Sequence, residues 1–101
     1  MNNETITGDF LVDKIGIMAT YELAAEEATE LAHACQKLAR CLRGDNPVFG
    51  YTGDELVMDM HEEFADLIIC YNSLKRVGAL DSDVVRELRH EKEKRMRERL
   101  S

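Results

Sequence analysis

Apolar residues recur every three or four positions along most of this chain, the spacing of one face of an α-helix. From about Phe10 to Arg43 there is no proline and a single glycine, Gly16, while Ala, Leu, Glu and Lys dominate the second half. That pattern predicts a helical segment over 10–43, either continuous or divided near Gly16. The breaker cluster Gly44-Asp45-Asn46-Pro47, followed by Gly50 and Gly53, predicts a loop over 44–54. A second helix is predicted over 55–77, with Gly78 as its C-cap, and a basic third helix over 81–100, with Asp81 or Ser82 as its N-cap. Arg97 and Arg99 near the end of that helix, and Asp81 and Asp83 near its start, suit the helix dipole. Residues 1–9 are polar and predict a loose N-terminus. No run alternates in the manner of a strand, so the fold class is all-α, with long antiparallel helices.

The helix faces hold an anomaly. At about 100° per residue, Leu23, Leu31, Cys35, Leu38 and Leu42 fall in one sector of the first long helix, and Glu27 falls in its middle with Glu30 at its edge. On the second helix Leu56, Met60, Leu67, Cys70, Leu74 and Val77 form a stripe with Glu63 at its centre, flanked by Asp66 and with Asp59 nearby. Three-residue spacing stacks Glu27 on Glu30 and Glu63 on Asp66. Burying one unpaired carboxylate costs several kcal/mol, and gathering four adds repulsion. Protonation, basic partners or bound cations would relieve such a cluster. All-oxygen ligands suit hard ions, Mg2+ or Mn2+. The plainer reading turns these carboxylates toward water.

Composition narrows the function classes. The chain has 101 residues, 45% hydrophobic and 33% charged, the profile of one small globular domain. At this size much apolar surface stays uncovered, which favours oligomerisation. A net charge of −7 disfavours binding to nucleic acid. No stretch approaches the roughly 20 apolar residues that span a bilayer, and the opening is too polar for a secretory signal, so a cytoplasmic location is expected. Cys35, Cys41 and Cys70 are odd in number and form no C-x-x-C pair, so they read as small helix-packing residues. On the third helix Val85, Leu88, Lys92, Met96 and Arg99 share a face, with Arg95 on its flank. Basic residues facing a carboxylate-bound metal would suit a polyphosphate. Long side chains lying over apolar surface with their heads in water would produce the same pattern.

Glu26-Glu27-Ala28-Thr29-Glu30 reads as E-E-x-x-E and Glu63-Phe64-Ala65-Asp66 as E-x-x-D. The pair, in this order on two helices with a Gly/Pro loop between, resembles the signature of the MazG-like, all-α nucleoside triphosphate pyrophosphohydrolases. The stretch Leu38 to Pro47 is similar to the end of the first motif helix in small members, and Lys92 to Leu100 to their basic C-terminal helix. The spacing between the motifs is longer than usual for the family, and Met96 stands where small members often carry tryptophan or asparagine. The resemblance implies a Mg2+-dependent enzyme, with Mn2+ as a substitute, that cleaves a nucleoside triphosphate to the monophosphate and pyrophosphate. By position it implies that Glu27, Glu30, Glu63 and Asp66 hold the metal and carry catalysis, with Glu26 behind them. Lys92, Arg95 and Arg99 would hold phosphates, in a homodimer or homotetramer.

Two other readings compete. A non-catalytic helical interaction module would account for the acidity and the apolar faces, but not for carboxylates centred in both stripes. A di-iron carboxylate protein could use the E-x-x-H of Glu30 and His33. Such bundles need that motif on two helices, and the second helix has Glu63 and Asp66 instead. His61 and His90 stand alone and read as surface or cap residues.

Overall fold

The computed structural model describes residues 8–44 and 53–101, so residues 1–7 of the predicted N-terminal segment and 45–52 of the predicted loop lie outside the described residues. The described residues form four helices and no strand: α1 (Phe10–Ile15), α2 (Ile17–Arg43), α3 (Gly53–Arg76) and α4 (Ser82–Leu100). Gly16 divides the first helical segment. Its φ of 87° and ψ of 164° cannot continue a helix, and its N–H donates to the Val12 carbonyl to close α1. Gly44, at φ 74°, closes α2 in the left-handed conformation that a residue without Cβ adopts at little cost. At the end of α3, Gly78 turns the chain at φ 78°. The Ala79 and Leu80 amides there donate to the Leu74 carbonyl, at 2.9 and 3.2 Å. Asp81 caps α4 through its carboxylate, which accepts from the Asp83 and Val84 amides.

Helices α2 and α3 pack along one another as an antiparallel hairpin, and α1 leans on both. The fully enclosed residues gather toward its ends. Leu56 lies near the end where α2 finishes and α3 begins, while Thr20, Ser73, Leu74 and Val12 lie at the end closed by α1, with Cys70 one turn in. Between Leu56 and Cys70 no residue of α3 is fully buried. The middle of the hairpin, where packing would ordinarily be tightest, is where Glu27 and Glu63 stand.

The buried sector of α2 is rotated from the one that its leucines suggest. Cys35 and Leu42 are exposed, Leu42 at 72%. The residues that turn toward α3 are Thr20, Leu23, Glu27, Leu31, Ala34, Leu38 and Cys41, all at least partly buried. A helix that packs on one long partner covers a narrow strip, so outlying apolar positions stay wet.

Asp9 departs from the loose N-terminus predicted over 1–9. It is 1% exposed and caps α1 by accepting from the Leu11 and Val12 amides, each at 3.0 Å. Its other oxygen accepts from the Arg76 guanidinium at 2.6 Å, which ties the start of α1 to the end of α3. The Val12 amide and, after the opposing effect of burial, Arg76 hold this carboxyl below the usual range. Polarity alone marks Asp9 as surface, whereas its hydrogen bonds let it be enclosed.

Helix α4 stands apart. Every residue from Asp83 to Leu100 is exposed, including Val85, Leu88 and Met96 on the face that the sequence gathers. The radius of gyration is 17.7 Å, against about 13 Å for a compact chain of this length. Among the described residues no helix is long and apolar enough to cross a membrane.

Candidate metal centre

The antiparallel register sets the two acidic motifs opposite each other. Spacing of three residues puts Glu27 and Glu30 on the inner edge of α2, and the same spacing puts Glu63 and Asp66 on the facing edge of α3. One oxygen from each of Glu27, Glu63 and Asp66 lies within 4.8 Å of the others, a group that could hold a metal ion. Glu30 joins them through its carboxyl, which is in hydrogen-bonding contact with that of Glu63. Glu27 and Glu63 are half-buried, whereas Glu30, Asp66 and Glu26 are exposed. The site is therefore an open-sided cluster seated in the hairpin rather than an enclosed cavity.

Two oxygens in this cluster are orphans. Glu27 Oε2 and Glu63 Oε2 are out of contact with solvent and have no hydrogen-bond donor. A buried acceptor without a donor is costly, and in a cluster of acids a proton or a cation is the natural partner. The electrostatics agree. Burial pushes the Glu27 carboxyl up, helped by the charges of Glu30, Asp66 and Glu26. Glu63 is raised first by its hydrogen bond to Glu30, then by burial and by the neighbouring acids. The same field reaches Cys70, whose thiol is raised by burial and further by Glu27 and Asp66.

The donor set fits a hard divalent cation. It consists of carboxylate oxygens alone, from two helices, with orphaned lone pairs and no histidine or thiolate. His33 and His90 are exposed, and His61 donates from Nδ1 to the Val57 carbonyl at 2.7 Å. None of the three belongs to the group.

The predicted phosphate-binding residues lie elsewhere in the chain. Lys92, Arg95 and Arg99, with Met96 between them, line a surface groove along α4. Within one chain the structure does not bring them to the carboxylates. A cavity of about 360 Å3 adjoins the cluster instead, lined by Glu30, Ala34, Lys37, Leu56, Asp59 and Glu63. Lys37 was not among the residues singled out from the sequence. Its signal is its position seven residues after Glu30, which returns a side chain to the same helix face.

No family model, curated protein or solved structure matches the chain.

The raised carboxyls have a measurable consequence. A carboxyl held above its ordinary value of 4.5 binds more protons in the folded state than in the unfolded one. Stability from Glu27 and Glu63 is therefore present at low pH and declines as pH rises from about 4.5 through their raised values. In EDTA, the Glu27→Gln/Glu63→Gln double variant is expected to lose that part of the pH dependence and to melt higher than the unsubstituted chain near neutral pH. Thermal melts from pH 4 to pH 8 check this, and identical pH profiles for the two proteins would remove the cluster's electrostatic strain.

Proposed function

We propose that this protein is a Mg2+-dependent nucleoside triphosphate pyrophosphohydrolase of the MazG-like kind, which releases pyrophosphate and a nucleoside monophosphate. The observation that carries this reading is the convergence of four motif carboxyls from two helices at the centre of the hairpin, with an orphaned buried oxygen on Glu27 and another on Glu63. Acids placed where apolar packing would stabilise the hairpin need a reason, and cation binding supplies one.

Glu27, Glu30, Glu63 and Asp66 would hold Mg2+, or Mn2+ in its place. The bound ion would supply charge neutralisation at the phosphates and a water of lowered pKa. Glu27 or Glu30 would accept the proton of the attacking water. Glu26, exposed one residue before Glu27, would stand behind that carboxyl, and its charge pushes the Glu27 carboxyl up. Asp66, at the open side, faces solvent and the entering substrate.

The proposal includes assembly into a cytoplasmic homodimer or homotetramer. Val57, Phe64 and Ile68 form an exposed apolar line on α3, and α4 exposes Val84, Val85 and Leu88. A second copy of the chain would cover such faces and carry Lys92, Arg95 and Arg99 to a neighbouring site.

A helical interaction module without catalysis draws on the same apolar faces. It leaves the paired carboxyls without a role, and activity separates the two readings. The deciding assay is pyrophosphate release from a panel of canonical and modified nucleoside and deoxynucleoside triphosphates, with Mg2+ or Mn2+ and with EDTA as control. Metal-dependent release of pyrophosphate together with monophosphate is expected. A folded protein that binds no Mn2+ and turns over no member of the panel would be assigned to the interaction class.

A further inference from the structure

We propose that the outer face of α2 is the seam on which a second copy of this chain packs, the two α2 helices running antiparallel about a two-fold axis that passes between Ala28 and Ala32. The inference deepens the assembly part of the proposed function and is independent of its chemistry.

Met18, Ala25, Ala32 and Ala39 recur at seven-residue intervals along α2, and Tyr21, Ala28, Cys35 and Leu42 follow each of them by three. No charged residue interrupts the series. A three-four alternation held over four heptads is the mark of a helix that packs along another helix, and here it runs for roughly 36 Å. The seam lies about a third of a turn around α2 from the residues that meet α3. Among the described residues nothing encloses it. Ala39 is half-buried and the other seven are exposed, Met18 at 76% and Leu42 at 72%. Cys35 and Leu42, wet in the single chain, thereby gain apolar neighbours.

The occupant follows from the seam's own symmetry. Reversed on itself, it sets Met18 against Leu42, Tyr21 against Ala39, Ala25 against Cys35 and Ala28 against Ala32 of the second copy. The one aromatic ring meets a methyl group, and the central alanines let the two backbones approach closely. Charge selects the same direction. The flank of the seam turned away from α3 carries Glu22 and Glu26 toward its start, Thr29 and Gln36 at its middle, and Arg40 toward its end. Glu22 and Glu26 are exposed. Among the described residues neither they nor Arg40 form an ion pair, and the Arg40 Nε–H has no acceptor. Antiparallel pairing brings Arg40 of the second copy beside Glu22, and the two-fold axis repeats the contact at the other end. Parallel pairing would set Glu22 on Glu22, Arg40 on Arg40 and Tyr21 on Tyr21.

Two measurements on the full chain test the seam. Mass in solution, by sedimentation and light scattering, is expected to show a dimer or a tetramer. Ala32→Glu is expected to halve that mass and to weaken self-association by at least roughly 100-fold, because each copy would bury a carboxylate near the axis. Helicity by circular dichroism should be unchanged, since Ala32 is exposed in the single chain. Mild oxidation of Ala25→Cys is expected to link two chains through the free, exposed Cys35, beyond any link formed by the unsubstituted protein, and adding Cys35→Ser should abolish it. If Ala32→Glu loses its helicity, the cross-link decides alone. An assembly that a folded Ala32→Glu leaves unchanged overturns the proposal. So does an Ala25→Cys protein that forms no added link, or one whose link persists without Cys35, the sign of a parallel pair. These results leave assembly through α3 or α4 in place. An unsubstituted chain that stays monomeric overturns the α2 seam together with the assembly part of the proposed function, while turnover decides the chemistry separately.

Discussion

Glu63→Gln is expected to leave the helices folded while reducing metal-dependent pyrophosphate release by at least roughly 100-fold, since even groups behind a metal ligand are commonly worth 10–100-fold. The substitution keeps the shape of the side chain and removes the charge that a divalent cation would engage. Glu63 stands at the crossing point of the cluster, sharing a hydrogen bond with Glu30 and lying within reach of Glu27 and Asp66. Loss of its charge should also relieve Glu30 and Glu27, so the variant should melt no lower than the unsubstituted protein in EDTA. It should gain less stability from added Mn2+, because a ligand that binds only the folded state stabilises in proportion to its affinity. This pairing of lost function with retained or improved metal-free stability is what distinguishes a binding site from a structural network. Full turnover in Glu63→Gln would remove the carboxyls from the chemistry. A lower melting temperature in EDTA would make them part of the scaffold.

Asp9→Ala should produce the opposite pattern, with a large loss of stability and no direct effect on the site. One enclosed carboxylate caps α1 and pairs with Arg76, so its removal takes the cap from the Leu11 and Val12 amides and unties the half-exposed Arg76 guanidinium from α1. A fall in melting temperature of roughly 5 °C or more is expected for a domain of this size. The pH dependence has a definite sign. The Asp9 carboxyl is lowered from 3.8, so its contribution is present above that value and is lost as pH falls through the lower folded one. Acid should thus weaken the α1 end of the hairpin while relaxing its acidic centre. Asp9→Asn keeps much of the cap but not the ion pair, and it should fall between the two. A melting temperature unchanged by Asp9→Ala would mean that α1 is docked by Val12 and its neighbours alone.

Much of this molecule is legible from sequence because its elements are decided locally. Gly16, Gly44 and Gly78 each adopt a positive φ at a helix boundary, and Asp81 caps α4 with its own carboxylate. The 3.6-residue period places Glu27 with Glu30, and Glu63 with Asp66, on single faces without reference to anything distant. The anomaly of acids within apolar stripes is likewise visible in one dimension.

Contacts between helices had to settle the rest. Periodicity identifies a face but not its width or its rotation, so Cys35 and Leu42 read as core and stand exposed, while Ala34 and Cys41 take the inward positions. Residue type assigns Asp9 to the surface, yet Arg76, distant in sequence, makes its burial tolerable. Lys37 carries no motif and joins the cavity only when α3 brings Asp59 and Glu63 across from it. The four helices and the acids they carry follow from local backbone preference and helical period, which the chain encodes residue by residue. Which acids meet, which oxygens lose their water and which cation shares their cavity depend on the register of α2 against α3, a property of the packed pair that neither helix possesses alone.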